Sequence, residues 1–174
     1  YKYLQKGIST QNNYNLKELF PDKSKPSKGV LNYYNSTKTQ FYDNTFLPLK
    51  NHVEERAKKD DPLQMLFFSS FSAADAEAVC PLLPVNSRIH MTEIPTSEPH
   101  VQFALNRLSD EFPQLQFEAT IVPPDVGLSS LKHTSQFDMC IAWHCFHLLG
   151  TEQRKMFAQN LAQDILKNDG ELLI

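Results

Sequence analysis

From Leu63 to Ile174, short apolar runs alternate with stretches in which apolar residues recur every three or four positions. The first kind of pattern reads as buried strand and the second as amphipathic helix. Leu63–Ser69 is an unbroken apolar strand, and Ser72 with Asp75 three residues later predicts the N-terminal cap of a helix over Ala73–Leu83. Arg88–Glu93 is the second strand. Thr96 or Ser97 caps a helix running through Val101, Ala104, Leu105 and Leu108 to the Phe112-Pro113 stop, and Gln116–Val122 is the third strand, closed by Pro123-Pro124. The last 38 residues, Phe137 to Ile174, then read as strand (FDMCIA), loop, helix (through DILK), an NDG turn and a closing strand (ELLI). Hydrophobic strands joined through helices predict an α/β fold with a mostly parallel sheet covered by helices.

The amino-terminal third follows a different rhythm. Residues 1–29 are polar, rich in Asn, Lys and Ser and broken by Pro21, Pro26 and Gly29, which predicts an arm or loop with one turn near Leu16–Phe20. Between 30 and 62 the apolar positions Phe41, Phe46, Leu49 and Val53 recur at helical spacing. This predicts a helical segment kinked at Pro48 and ended by the charged run Glu54–Asp61. The chain therefore divides into an arm (1–29), a helical segment (30–62) and an α/β domain (63–174).

With 174 residues and 41% apolar content, the chain suits one globular domain with a real core. A net charge of −3 and a pI near 6.1 give no global attraction to nucleic acid or an acidic membrane, and Lys17, Lys23, Lys25 and Lys28 read as a solvated basic patch. Three cysteines (Cys80, Cys140, Cys145) make an odd, sparse set that argues against a disulfide framework and for a reducing compartment. The cytoplasm is the expected location. No window approaches the roughly 20 apolar residues of a membrane span, and the start YKYLQKGIS lacks a signal-peptide core. The absent initiator Met suggests a trimmed or processed chain.

Three strands each followed by a helix, and then a fourth with the sequence FDMCIAWHCFHLL, resemble the class I S-adenosylmethionine (SAM)-dependent methyltransferases over roughly residues 63–174. The resemblance implies a Rossmann-like sheet with the cofactor held after the first strand by a loop of the form acidic-x-Gly-x-Gly-x-Gly. Aligned on that loop, LFFSSFSAADAEAV places Phe67 at the acid and Ser69, Phe71 and Ala73 at the three glycines. Glycines there let the backbone approach the cofactor, and a phenyl ring at Phe71 would fill the cofactor's space or turn into the core. The resemblance also implies that Glu93, at the end of the second strand, accepts the ribose hydroxyls, and that Asp125, after the third, meets the adenine amino group. SAM is thus the cofactor implied, with weak or no binding expected from the altered loop.

Trp143, His144 and His147 follow the carboxyl end of the fourth strand, the side on which open α/β sheets bind ligands. Trp143 reads as a core or pocket wall and, on the resemblance, as a candidate cofactor-binding residue. His144 and His147 are candidate bases, because imidazole holds both protonation states near neutrality. Methyl transfer from a sulfonium often needs only positioning, so neither histidine is demanded. Cys140, His144, Cys145 and His147 raise zinc by residue type, but their spacing across a strand-loop junction does not favour a tetrahedral site, and no metal is expected. Cys145 beside His144 or His147 is a weaker nucleophile candidate. Walker, HExxH and GxSxG motifs are absent.

Two function classes follow. The preferred one is a methyltransferase-like domain with an altered SAM loop that serves as a non-catalytic interaction or scaffold module. The alternative is an active SAM-dependent methyltransferase acting on a small molecule. The family's sheet usually has seven strands, whereas this sequence stops at the apparent fifth. A longer parent chain, a second polypeptide or a second copy is therefore expected to complete the sheet, because a bare apolar edge invites association.

Overall fold

The computed structural model describes residues 46–58, 61–68, 73–93, 98–121, 137–142 and 150–174, with positions 32, 34–36 and 38. Five strands form one sheet: β1 (Gln64–Phe68), β2 (Arg88–Glu93), β3 (Gln116–Ile121), β4 (Phe137–Ile141) and β5 (Leu166–Leu173). Their order is β3-β2-β1-β4-β5, and every neighbouring pair is parallel. Among the described residues the helices around the sheet are α1 (Phe46–Ala57), α2 (Ala74–Val79), α3 (Glu98–Glu111) and α4 (Thr151–Asn160), and positions 32, 34–36 and 38 are also helical. A 3-10 turn, Cys80–Leu82, extends α2, and a π turn, Leu161–Ile165, extends α4.

Alternation along the strands divides the core into two clusters. Met65, Phe67, Ile89, Met91, Met139 and Ile141 pack with α2, α3 and the α1 residues Leu49 and Val53. Leu66, Phe137, Cys140 and Ala142 pack instead with Phe157 of α4 and with Leu161 and Ile165 of its π turn. Strands covered on both faces must be apolar on both, so they read as unbroken runs rather than as alternating ones. The helical segment ahead of the sheet shares the first of these clusters.

Several expected boundaries move. Pro48 lies in the first turn of α1, where backbone N–H groups have no helical partner, so it begins the helix instead of kinking it. Helix α2 ends at Val79, where Cys80 and Pro81 tighten the chain, and its cap position is Ala73 with no side-chain cap bond, not Ser72. The NDG segment is not a turn between helix and strand. Strand β5 already begins at Leu166, and residues 167–170 bulge out of it, so that Phe137 pairs with Leu166 while Met139 pairs with Glu171. Lys167 is held there by Asp138, its Nζ donating to Oδ1 at 2.8 Å.

Candidate functional site

Strand order reverses between β1 and β4: the chain runs outward from β1 to β3 and returns to β4 on the other side. In an open parallel sheet this leaves a crevice outside the carboxyl ends of those two strands, because the crossovers diverge there. The described groups nearest it are Phe68, the start of α2 at Ala73, Glu93 and Ala142. Ser69, Phe71, Asp125, Trp143, His144, Cys145 and His147 lie outside the described residues, as do the proposed caps Ser72, Thr96 and Ser97.

Glu93 ends β2 one position past Thr92, which pairs with Phe68 at the end of β1, while Glu93 itself pairs with Ile121 on β3. The register puts the residue at the carboxyl end of the sheet, next to the crevice, and only 2% of it is exposed. Phe67 is different. It is fully buried in the cluster between the sheet and α1–α3, so the position aligned with the family's acid carries a core ring.

Ala73 takes the left-handed conformation, φ 57° and ψ 37°, with its methyl group fully buried. For an L-residue that conformation costs about 1–2 kcal/mol, which a glycine would not incur. The backbone at the third aligned glycine therefore bends as a glycine would, although the residue is alanine. Helix α2 then presents two acids in its first turn, Asp75 and Glu77; Oδ1 of Asp75 accepts the Ala76 N–H at 2.9 Å.

Glu77 was not marked by any sequence pattern, yet among the described residues it gathers a dense polar cluster. Its carboxylate accepts the Tyr34 hydroxyl, accepts Lys38 Nζ at 2.7 Å and pairs with the Arg107 guanidinium from α3. Lys38 also donates to the Tyr34 oxygen at 3.1 Å. Arg107 stacks with its Cζ 4.3 Å from the centre of the Tyr34 ring, and Phe103 meets that ring edge-on at 5.5 Å. Burial pushes the Glu77 carboxyl upward, but the bonds from Lys38 and Tyr34 and the charge of Arg107 outweigh it and hold the carboxyl below its ordinary range. Lys38 is displaced upward: burial works against its charge, and the bonds to Glu77 and Tyr34 prevail. The partners stand 39 and 43 positions apart in sequence, so no local motif could have shown them.

A second polar group, buried at His90 and Thr120 and exposed at Glu118, lies on the opposite face of β2 and β3. His90 Nε2 sits 2.8 Å from the Thr120 hydroxyl, Glu118 lies 3.5 Å from Nδ1, and Arg88 donates to Glu118 at 2.8 Å. The His90 hydrogen bond and the Arg88 charge hold the Glu118 carboxyl below its usual range despite partial burial. Arg88, His90 and Glu118 are at mid-strand or toward the amino end, and Thr120 stands one position before the end of β3. Among the described residues no group of three His, Cys, Asp or Glu side chains could hold a metal ion. Cys80 and Cys140 are buried, and burial drives the Cys80 thiol far above the normal range, which leaves it protonated and unreactive. No described helix is long and apolar enough to cross a membrane.

The described geometry beside the crevice thus has a buried acid at the end of β2 and a left-handed bend at the start of α2. It offers no acid at Phe67. No protein-family model matches the sequence, and no curated protein matches it. Solved structures do match in shape. A SAM-dependent methyltransferase from Clostridium acetobutylicum superposes with a TM-score of 0.56 at 13% identity, covering 79% of this chain and 55% of that one. An O-methyltransferase family protein from Burkholderia thailandensis gives 0.55 at 10% identity, covering 78% and 38%. A methyltransferase from Geobacter sulfurreducens gives 0.52 at 11% identity, covering 92% and 77%. The chain thus spans about half or less of the first two structures. With its five parallel strands in the order β3-β2-β1-β4-β5 and helices on both faces, this chain has the Rossmann-like fold of the class I SAM-dependent methyltransferases.

Proposed function

We propose that this chain is a methyltransferase-fold domain that serves as a non-catalytic interaction or scaffold module. One observation carries the reading: at the end of β1, where the family places an acid and then glycine, the chain has the buried ring of Phe67 and the buried methyl of Ala73. Carbon at these positions removes a hydrogen-bond acceptor and narrows the backbone's approach to a ligand. Calorimetric titration with SAM and with S-adenosylhomocysteine tests it. The expected result is no saturable heat in the low micromolar range. Saturation there, abolished by Glu93→Ala, would overturn the reading.

A second reading, an active methyltransferase on a small molecule, is favoured by Glu93. A buried carboxylate at the end of β2 is suited to accept two vicinal hydroxyls, each charge-assisted bond contributing on the order of 1.5–3 kcal/mol. Formation of S-adenosylhomocysteine from SAM with candidate hydroxyl or amine substrates, lost in Glu93→Ala, would establish it. For partners, the proposal is that further strands add beyond β5, one of the two edge strands of the described sheet, from a longer parent chain, a second polypeptide or a second copy. Light scattering on the 174-residue chain distinguishes the last from a monomer.

A further inference from the structure

We propose that the helical segment carrying Tyr34 and Lys38 is a latch on α2, closed through the single carboxylate of Glu77, and that its release is a conformational switch of the crevice end of this domain. Helix α2 has six residues, too few to hold together without tertiary cover. It starts from the left-handed Ala73, and Glu77 closes the first turn by donating its own N–H to the Ala73 carbonyl at 2.9 Å. The residue that begins the helix at the crevice and the residue that holds the latch are thus joined by one backbone bond.

The covers on α2 differ in kind. Leu49 and Val53 of α1 belong to the apolar cluster that includes Ala76, Ala78 and Val79, a contact that depends on no charge. The cover from Tyr34 and Lys38 adds polar bonds: the Tyr34 hydroxyl and the Lys38 amine meet Glu77, Arg107 of α3 completes the carboxylate and stacks on the Tyr34 ring, and Phe103 meets that ring edge-on. Neutralising Glu77 removes the acid that Lys38 and Arg107 share and leaves Arg107 its longer pairing with Glu111 at 3.8 Å, so one carboxylate controls the polar part of the attachment. Release uncovers the outer side of α2 and α3 and leaves the strained start of α2 free to relax, whereas the sheet and the α1 contact are untouched. Segments of low local stability beside a ligand crevice are the ones that open without global unfolding.

This inference goes beyond the scaffold reading and needs no bound cofactor, so either can fail alone. It is tested by amide hydrogen exchange read by mass spectrometry on the 174-residue chain, comparing the parent with Glu77→Gln and with Tyr34→Phe, which removes one oxygen and leaves the ring. In Glu77→Gln, exchange over 32–38 and 74–79 is expected to quicken on the order of tenfold or more, with β1 and β4 unchanged. Tyr34→Phe should quicken the same segments by a smaller factor. Unchanged exchange in both variants overturns the latch. So does a uniform rise that includes β1 and β4, because Glu77 would then stabilise the fold as a whole. If Glu77→Gln does not fold, Tyr34→Phe decides by the same local-against-global comparison.

Discussion

A Cβ placed on Gly170 would lie 3.0 Å from the carbonyl oxygen of Phe137, the residue that opens β4. It would also lie 2.9 Å from Leu166 Cβ and 3.0 Å from the Lys167 carbonyl oxygen. The bulge in β5 folds back on itself so closely that only hydrogen fits. Two of the three obstacles are backbone and cannot swing aside. Gly170→Ala should therefore destabilise the domain by about 1–3 kcal/mol, the usual range for overpacking, measured as a lower urea midpoint with an unchanged slope.

Ala73, the cap position of α2, and Ala76, inside that helix, are both fully buried but should respond differently to glycine. At Ala73 relief of the left-handed strain, about 1–2 kcal/mol, is offset by the lost methyl burial, about 0.8 kcal/mol, and by glycine's entropy, about 0.5–1 kcal/mol. Ala73→Gly should thus stay within about 1 kcal/mol of the parent. At Ala76, inside the helix, no strain is relieved and the two losses add to roughly 1.5–2 kcal/mol. Equal losses in thermal melts of the two variants would show that Ala73 is not strained.

Asp138 should prove structural although it interrupts an apolar strand. Its Oδ2 accepts the Gln64 N–H at 2.8 Å, its Oδ1 accepts Lys167 Nζ at 2.8 Å, and Arg56 lies 3.9 Å away. The carboxylate joins the amino end of β1 to α1 and to the bulge of β5, and the residue is only 6% exposed. Asp138→Ala leaves a backbone donor and an ammonium group without their acceptor, a loss on the order of 2–4 kcal/mol. A chemical denaturation curve indistinguishable from the parent's would contradict it.

The Glu77 latch should weaken in acid. Its carboxyl is held below the ordinary glutamate value of 4.5, so between the folded and unfolded values the unfolded chain binds more protons and stability rises with pH. The contribution is complete above about 4.5 and fades as pH falls through the lowered value. At the alkaline end Tyr34 is shifted upward, first by burial and then by its bond to Glu77, so its contribution is present below the ordinary value of 10.0 and is lost as pH rises through the raised one. Stability measured from pH 3 to 7 should show a step below about 4.5 that shrinks in Glu77→Gln. An identical step in both proteins would assign it to other carboxylates.

The succession of elements was written in the sequence because it follows from local periodicity. Runs such as Met65–Phe67 and Met139–Ile141 can be satisfied only in strands covered on both faces, and the spacing of Val101, Ala104, Leu105 and Leu108 only in a helix. Glu93 was also legible, since its place depends only on where β2 ends. Tertiary structure decided what depends on distant partners or on backbone geometry. Phe67 faces the helix-side core because the pleat puts it there, and Ala73 bends as glycine would although its identity gives no sign of it. The NDG segment, a turn by composition, is a bulge because β4 captures Leu166 on one side of it and Glu171 on the other. Glu77, Tyr34, Lys38 and Arg107 meet only after α2, α3 and the amino-terminal segment have packed, and contacts closed over some 30 to 43 positions leave no periodic trace in the chain.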